Sequence, residues 1–178
     1  MIARFAFACG RSIFPAALLS AFLCTPPAFA QTTDPRPEQF PVTRIYKGKA
    51  KAPDFKGRDK DFASFRTRIR NGMKEGPNFA GEYTIIQVGC GAGCSFAMVA
   101  NNRTGQMFDF PRGGEDNMYL SLRYVLDSAL VVAQWASYET QKCTVEHFRF
   151  DQGKWSTLAK RDVGDMDACY RTLDENAP

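Results

Sequence analysis

The chain has 178 residues, of which 44% are hydrophobic, 13% aromatic and 24% charged, with a formal net charge of +4. Its 15 Phe, 6 Tyr and 2 Trp can fill a core, which excludes a disordered polar chain, and the length suits one domain. His147 is the only histidine, which excludes multi-histidine metal sites, and no apolar run reaches the roughly 18 residues that a membrane-spanning helix needs.

Residues 1–30 read as a secretory signal peptide. Arg4 and Arg11 form the positive start, Ile13 to Cys24 is apolar, and Ala28-Phe29-Ala30 is an A-x-A cleavage site. An uncleaved anchor is the competing reading, opposed by the short span and by Pro15. Leu23-Cys24 lacks the small residue that lipid attachment wants before its cysteine. The mature chain is then expected to begin at Gln31, in the periplasm or secreted, with no transmembrane segment after cleavage. Cys9 and Cys24 leave with the leader. Cys90, Cys94, Cys143 and Cys169 remain, and four cysteines in an exported chain suggest two disulfides.

Charge is uneven. Residues 44–74 hold 11 Lys or Arg against 3 Asp, whereas residues 75–178 hold 9 Lys or Arg against 14 acids. Such a basic segment is a solvated surface, an internal electrostatic match to the acidic body, or a contact for an anionic partner, either lipid headgroups or an envelope polymer held through Arg66, Arg68 and Arg70. For an exported protein, no nucleic-acid partner is expected.

Residues 31–43, with Pro35, Pro37 and Pro41, read as an extended linker, and residues 44–178 as a single domain. Residues 44–60 are expected to be irregular, with at most an edge strand near Thr43–Tyr46. Phe62, Phe65, Ile69 and Met73 recur at helical spacing and predict a helix over 61–73. Asp59 or Asp61 would cap its start, Gly72 would weaken its end, and Gly76-Pro77 would stop it. From Glu82 the signals turn to strand. The expected strands are 82–89, 95–100, 106–110, 119–125, 129–137, 144–150 and 154–159, separated by turn residues and without intervening helices. The fold class expected is α+β: one antiparallel meander of five to seven strands with the N-terminal helix packed on it.

Gly89-Cys90-Gly91-Ala92-Gly93-Cys94 falls between two of these strands. Extended chain would hold Cys90 and Cys94 about 13 Å apart. A disulfide needs Cα atoms about 4.4–6.8 Å apart, so a bridge requires a reversal at Gly91-Ala92-Gly93. A three-residue hairpin loop closed by Cys90–Cys94 meets that need. By elimination Cys143 would pair with Cys169, closing roughly 27 residues for on the order of 3–4 kcal/mol. Cys90–Cys143 is the competing pairing.

Three uses of Cys90, Gly91, Ala92, Gly93 and Cys94 follow besides stapling the turn. A rigid, uncharged tip can enter a partner's cleft at low entropic cost. A dithiol switch would need a cation or helix N-terminus to depress a thiol pKa. A copper site would add Met98, Met107 or His147 as ligands. Catalysis by Cys94 or Ser95 lacks a base, because His147 alternates against Phe148 and Phe150 and is expected on an exposed sheet face. Glu115-Asp116 and Asp165 with Asp167 read as solvated. No cofactor and no enzymatic activity are expected.

Asn78-Phe79-Ala80-Gly81-Glu82-Tyr83-Thr84, Gly89–Cys94 and Asp127-Ser128-Ala129-Leu130-Val131-Val132 resemble motifs of a family of small exported bacterial proteins of unknown function. The likeness covers roughly residues 60–160 and implies an exported sheet protein, without an activity or site residues. A second, architectural resemblance is to the periplasmic inhibitors of vertebrate-type lysozyme, whose cystine loop enters the enzyme cleft. Cys90–Cys94 would stand in that loop's place, although Gly91, Ala92 and Gly93 offer only backbone where that family carries a histidine and polar residues. The combined expectation is a non-enzymatic envelope module that binds an envelope or extracellular protein through the tip, with thiol-redox or copper handling as the alternative.

Overall fold

The computed structural model describes residues 34–178, so the leader expected at 1–30 lies outside the described residues. Seven strands follow one another: β1 (Tyr83–Gly91), β2 (Cys94–Asn101), β3 (Met107–Gly113), β4 (Met118–Tyr124), β5 (Leu130–Ser137), β6 (Lys142–Asp151) and β7 (Lys154–Asp165). All pairings are antiparallel. The class is α+β, but the expected single meander is divided into two sheets, β1-β2-β3 and β4-β5-β6-β7. Between them the loop after Gly113 breaks the ladder. Gly113 has φ +119° and Gly114 φ +74°, conformations that glycine adopts without a Cβ clash.

Pattern dictates what each sheet covers. In β1 and β2, Tyr83, Ile85, Ala97 and Val99 face one way and Ile86, Val88, Met98 and Ala100 the other, all buried. The first set joins Phe110, Leu120, Val131, Trp135, Phe148 and Phe150 in a core shared by the inner faces of both sheets. Phe79 sits in it fully buried, stacked 6.1 Å from Trp155 and tilted against Phe150 at 5.7 Å. Such edge and offset contacts add about 0.5–1.5 kcal/mol each beyond area burial.

The second set is covered by helix α1 (Arg66–Lys74), through Ile69 and Met73. The helix expected over 61–73 is shorter in its α-helical part, because Lys60–Phe65 winds as a 3-10 helix. Asp59 does not cap it. Its buried carboxylate accepts instead from the N–H groups of Asp54 (2.9 Å) and Met107 (3.0 Å) and from Arg58, tying the preceding loop to β3. Gly72 lies within the helix, which ends at Lys74 just before Gly76-Pro77. An added Cβ on Gly72 would lie 2.8 Å from Ile86 Cγ1, so glycine lets α1 approach β1 closely.

The outer face of the four-stranded sheet is covered by the two ends of the described chain. Leu130, Val132 and Val145 pack with Leu173 and Ala177, at and beside the short helix α2 (Leu173–Asn176). Residues 34–43, expected as a linker, lie as a strap against the β4–β5 turn. Ser128 Oγ donates to Pro37 O (2.9 Å), Ala129 N to Phe40 O (2.9 Å) and Val42 N to Asp127 O (2.9 Å). No strand forms at Thr43–Tyr46; the pairing is a single bridge between Pro41 and Ser128.

Because Phe79 is shared by both sheets, Phe79→Ala is expected to cost about 3–5 kcal/mol. Denaturant unfolding followed by Trp155 fluorescence reads the loss, and a loss under about 1 kcal/mol would show that the sheets do not depend on a common core.

Candidate functional site: a disulfide-closed tip beside exposed tyrosines

The β1–β2 ladder runs to Gly89 opposite Ser95 and then shifts register, so that Gly91 faces Cys94. Cys90 is the extra residue of a bulge, and the turn itself is Ala92-Gly93. The expected three-residue loop is thus a two-residue turn preceded by a bulge. Gly91 has φ +138° and Gly93 φ +72°. The Cys90–Cys94 disulfide closes the tip with the Cα atoms 5.1 Å apart, and Cys143–Cys169 forms at 5.4 Å. Residues 90–93 are exposed and Cys94 is buried.

The tip is held from beneath. Tyr119 N donates to Gly93 O at 2.7 Å, and a Cβ on Gly93 would lie 2.5 Å from the Tyr119 ring. Gln87 Nε2 donates to Leu120 O (2.8 Å) and to Ser95 Oγ (2.9 Å), which joins the hairpin to β4. Tyr119 packs against Ala136, Cys143, Ala168 and Cys169, so one tyrosine links the tip to the second disulfide. That disulfide fixes the 3-10 turn Met166–Tyr170 on β6 and with it Tyr170.

Tyr170 is 70% exposed and meets Tyr119 edge to face at 5.1 Å, with the two hydroxyl groups 3.4 Å apart. This contact with Tyr170 raises the Tyr119 phenol pKa, because the hydrogen bond favours the neutral form. Tyr138, in the β5–β6 turn, is 53% exposed. The Tyr138–Tyr119–Tyr170 group was not visible in the sequence. The one available signal was Tyr170 directly after Cys169, an aromatic pinned by a bridge.

A cleft of about 790 Å³ runs past Tyr138 along the uncovered end of the four-stranded sheet, with Trp135 at its base and Lys160 and Asp116 on its walls. Under it Glu146 is 1% exposed and fully engaged. Its carboxylate accepts from Arg112 Nε (2.7 Å) and Nη2 (2.9 Å), Trp135 Nε1 (3.2 Å) and Thr157 Oγ1 (3.0 Å). The Arg112 guanidinium also lies 5.1 Å from the Trp135 ring centroid. A carboxylate accepting four hydrogen bonds from Arg112, Trp135 and Thr157 ties β3, β5 and β7 to β6.

The copper ligands do not come together among the described residues, whereas the two tip cysteines meet as a disulfide. Met98 and Met107 are buried under α1, His147 lies on the other sheet, and both tip cysteines are in the disulfide. Ser95 Oγ is occupied by Gln87. Arg66, Arg68 and Arg70 are exposed on α1, with Arg70 5.6 Å from the Phe55 ring centroid.

His147 corrects the sequence reading. It does point away from Phe148 and Phe150, but that outer face is roofed by the strap, and His147 is 1% exposed with Nδ1 unpartnered. Burial lowers its pKa. Asp34 opposes this, and Arg161 and Arg123 add to it.

Comparison with family models, with curated proteins and with solved structures found no match to the chain.

The tertiary environment of His147 has a measurable consequence. The unfolded chain takes up a proton near pH 6.5, while the native state resists it. The native state therefore loses stability as pH falls below about 6.5, by at most about 1.4 kcal/mol per unit for this one group. Denaturant midpoints between pH 7 and pH 5 should fall for the wild type, with a flatter profile for His147→Gln, whatever that variant's absolute stability. Parallel profiles would assign the slope to other groups.

A second outcome concerns the staple. Cys143→Ala/Cys169→Ala is expected to lose on the order of 3–4 kcal/mol. It should also release Tyr170 from Tyr119, seen as increased tyrosine mobility by NMR. Unchanged Tyr119–Tyr170 contacts would show that the 3-10 turn holds itself.

Proposed function

We propose that the chain is an exported, non-enzymatic binding module that recognises an envelope or extracellular protein through the Cys90–Cys94 tip and the tyrosines beside it. The observation that carries the reading is the tip's anchorage. An exposed, uncharged turn is closed by a disulfide and fixed to Tyr119, with Tyr170 and Tyr138 exposed nearby. Tyrosine gives large amphipathic contact area for few rotatable bonds and is enriched at interface cores. A tip already fixed in its bound shape loses little conformational freedom on docking. Export is supported by the N-terminal pattern at residues 1–30 and by two disulfides, which persist in oxidising compartments.

The sharpest form of the proposal is inhibition of a vertebrate-type lysozyme by insertion of the tip into its cleft. Peptide carbonyl and N–H groups of Gly91, Ala92 and Gly93 would make the contacts, since the tip offers no polar side chain.

Ala92→Arg places a bulky cation at an exposed turn position. Immobilised wild-type protein is expected to retain an envelope protein that Ala92→Arg and Tyr170→Ala columns release, while the melting temperature of Ala92→Arg stays within about 2 °C of wild type. Equal retention on all three columns would remove the tip from the interface. In a cell-wall lysis assay, near-stoichiometric slowing by wild type alone supports the lysozyme form, and no slowing of any lysozyme class ends it.

A further inference from the structure

Of the 11 Lys and Arg side chains between residues 44 and 74, only Arg58 makes an ion pair among the described residues. The fold gathers four of the others, Lys49, Lys51, Arg70 and Lys74, around a groove of about 360 Å³ between the 48–53 loop and α1. No carboxylate among the described residues lines it, and Pro53 and Met73 contribute to an apolar floor. All four cationic side chains are exposed.

Both walls are fixed. In the loop, Lys51 N donates to Asn102 O (2.9 Å) and Tyr46 Oη donates to Lys49 O (3.0 Å). Gly105 approaches the loop so closely that an added Cβ would lie 2.6 Å from Ala52 O. On the other side, Ile69 and Met73 bury α1 against the sheet. The groove is therefore present without any partner to shape it.

Four like charges around an apolar floor repel one another and leave carbon surface wet. A soluble polyanion or a free oxyanion would answer the charge and leave the floor unused. An amphiphile with an anionic head satisfies both.

We propose that this groove docks the protein on an anionic lipid surface, with a phosphate headgroup among Lys49, Lys51, Arg70 and Lys74 and the adjoining carbons over the apolar floor. The contact is independent of the disulfide tip. It relocates the basic contact from the expected Arg66, Arg68 and Arg70 row. Of that row only Arg70 borders the groove, joined by three lysines that are remote from it in sequence or at the helix end.

The test is co-sedimentation of the full chain with vesicles of phosphatidylglycerol in phosphatidylcholine. Binding is expected to weaken steeply with salt and to be absent with phosphatidylcholine alone. One cation near such a surface is worth about 1 kcal/mol, or roughly fivefold, so Lys49→Gln/Lys74→Gln should bind about 25-fold more weakly. Arg66→Gln/Arg68→Gln, which changes exposed cations outside the groove, should lose clearly less. Because every variant carries the same N-terminus, apolar insertion by that segment cannot produce the difference. Equal losses in the two double variants, or equal binding to phosphatidylcholine alone, would overturn the proposal. Full displacement by inorganic phosphate would assign the groove to a free oxyanion, and tighter binding to soluble polyphosphate to an anionic polymer. Either result also overturns it.

Discussion

Both sheets carry apolar side chains on both faces, so neither is stable with one face in water. The alternation Tyr83, Ile85 against Ile86, Val88 puts the first pair in the shared interior and the second on the opposite side. Everything peripheral follows from covering those second faces. Helix α1 covers one, with Gly72 removing the side chain that would hold it off Ile86. The strap and the C-terminal turns cover the other, which is why residues 34–43 are ordered against Ser128 and Ala129. The same requirement places His147 beneath a roof. A position that alternation assigns to the outer face is wet only if nothing further packs there.

The disulfides act on that framework at its margin. Cys90–Cys94 shapes a turn that already reverses at Ala92-Gly93, and its loop is too short to remove much entropy from the unfolded chain. Its effect is local rigidity at an exposed place. Cys143–Cys169 spans 26 residues in sequence and fastens the segment after β7 to β6. Tyr119 lies between the two, hydrogen-bonded through its backbone to Gly93 and packed through its ring on the second bridge. Rigidity at the tip and the position of Tyr170 are in this way coupled through one residue of β4.

The two fully buried carboxylates are saturated with donors. Glu146 is surrounded by Arg112, Trp135 and Thr157, and Asp59 by Arg58 and two backbone N–H groups. A buried carboxylate so paired tolerates the low dielectric and holds elements together, here β3 to β6 and the 54–59 loop to β3. The features on which the proposals rest are on the surface: a rigid turn, exposed tyrosines and a cation-lined groove.

Local signals in the sequence determined the strands, their antiparallel order, the reversal at Gly91–Gly93 and the helical stripe at Ile69 and Met73. Period-two alternation and turn chemistry act between near neighbours, and short connections leave consecutive strands little choice but to pair. The tip's disulfide was legible for the same reason, since two cysteines four residues apart with glycines between them meet only at a reversal. The division into two sheets was decided by the tertiary structure, because it depends on where the loop after Gly113 lets β4 leave the ladder. So were the burial of His147, the pairing of Arg112 with Glu146 34 residues away, and the meeting of Tyr119 with Tyr170. The groove formed by Lys49, Lys51, Arg70 and Lys74 belongs to the same group. Each joins residues far apart in the chain, and no local pattern encodes which distant surface will close over a given face.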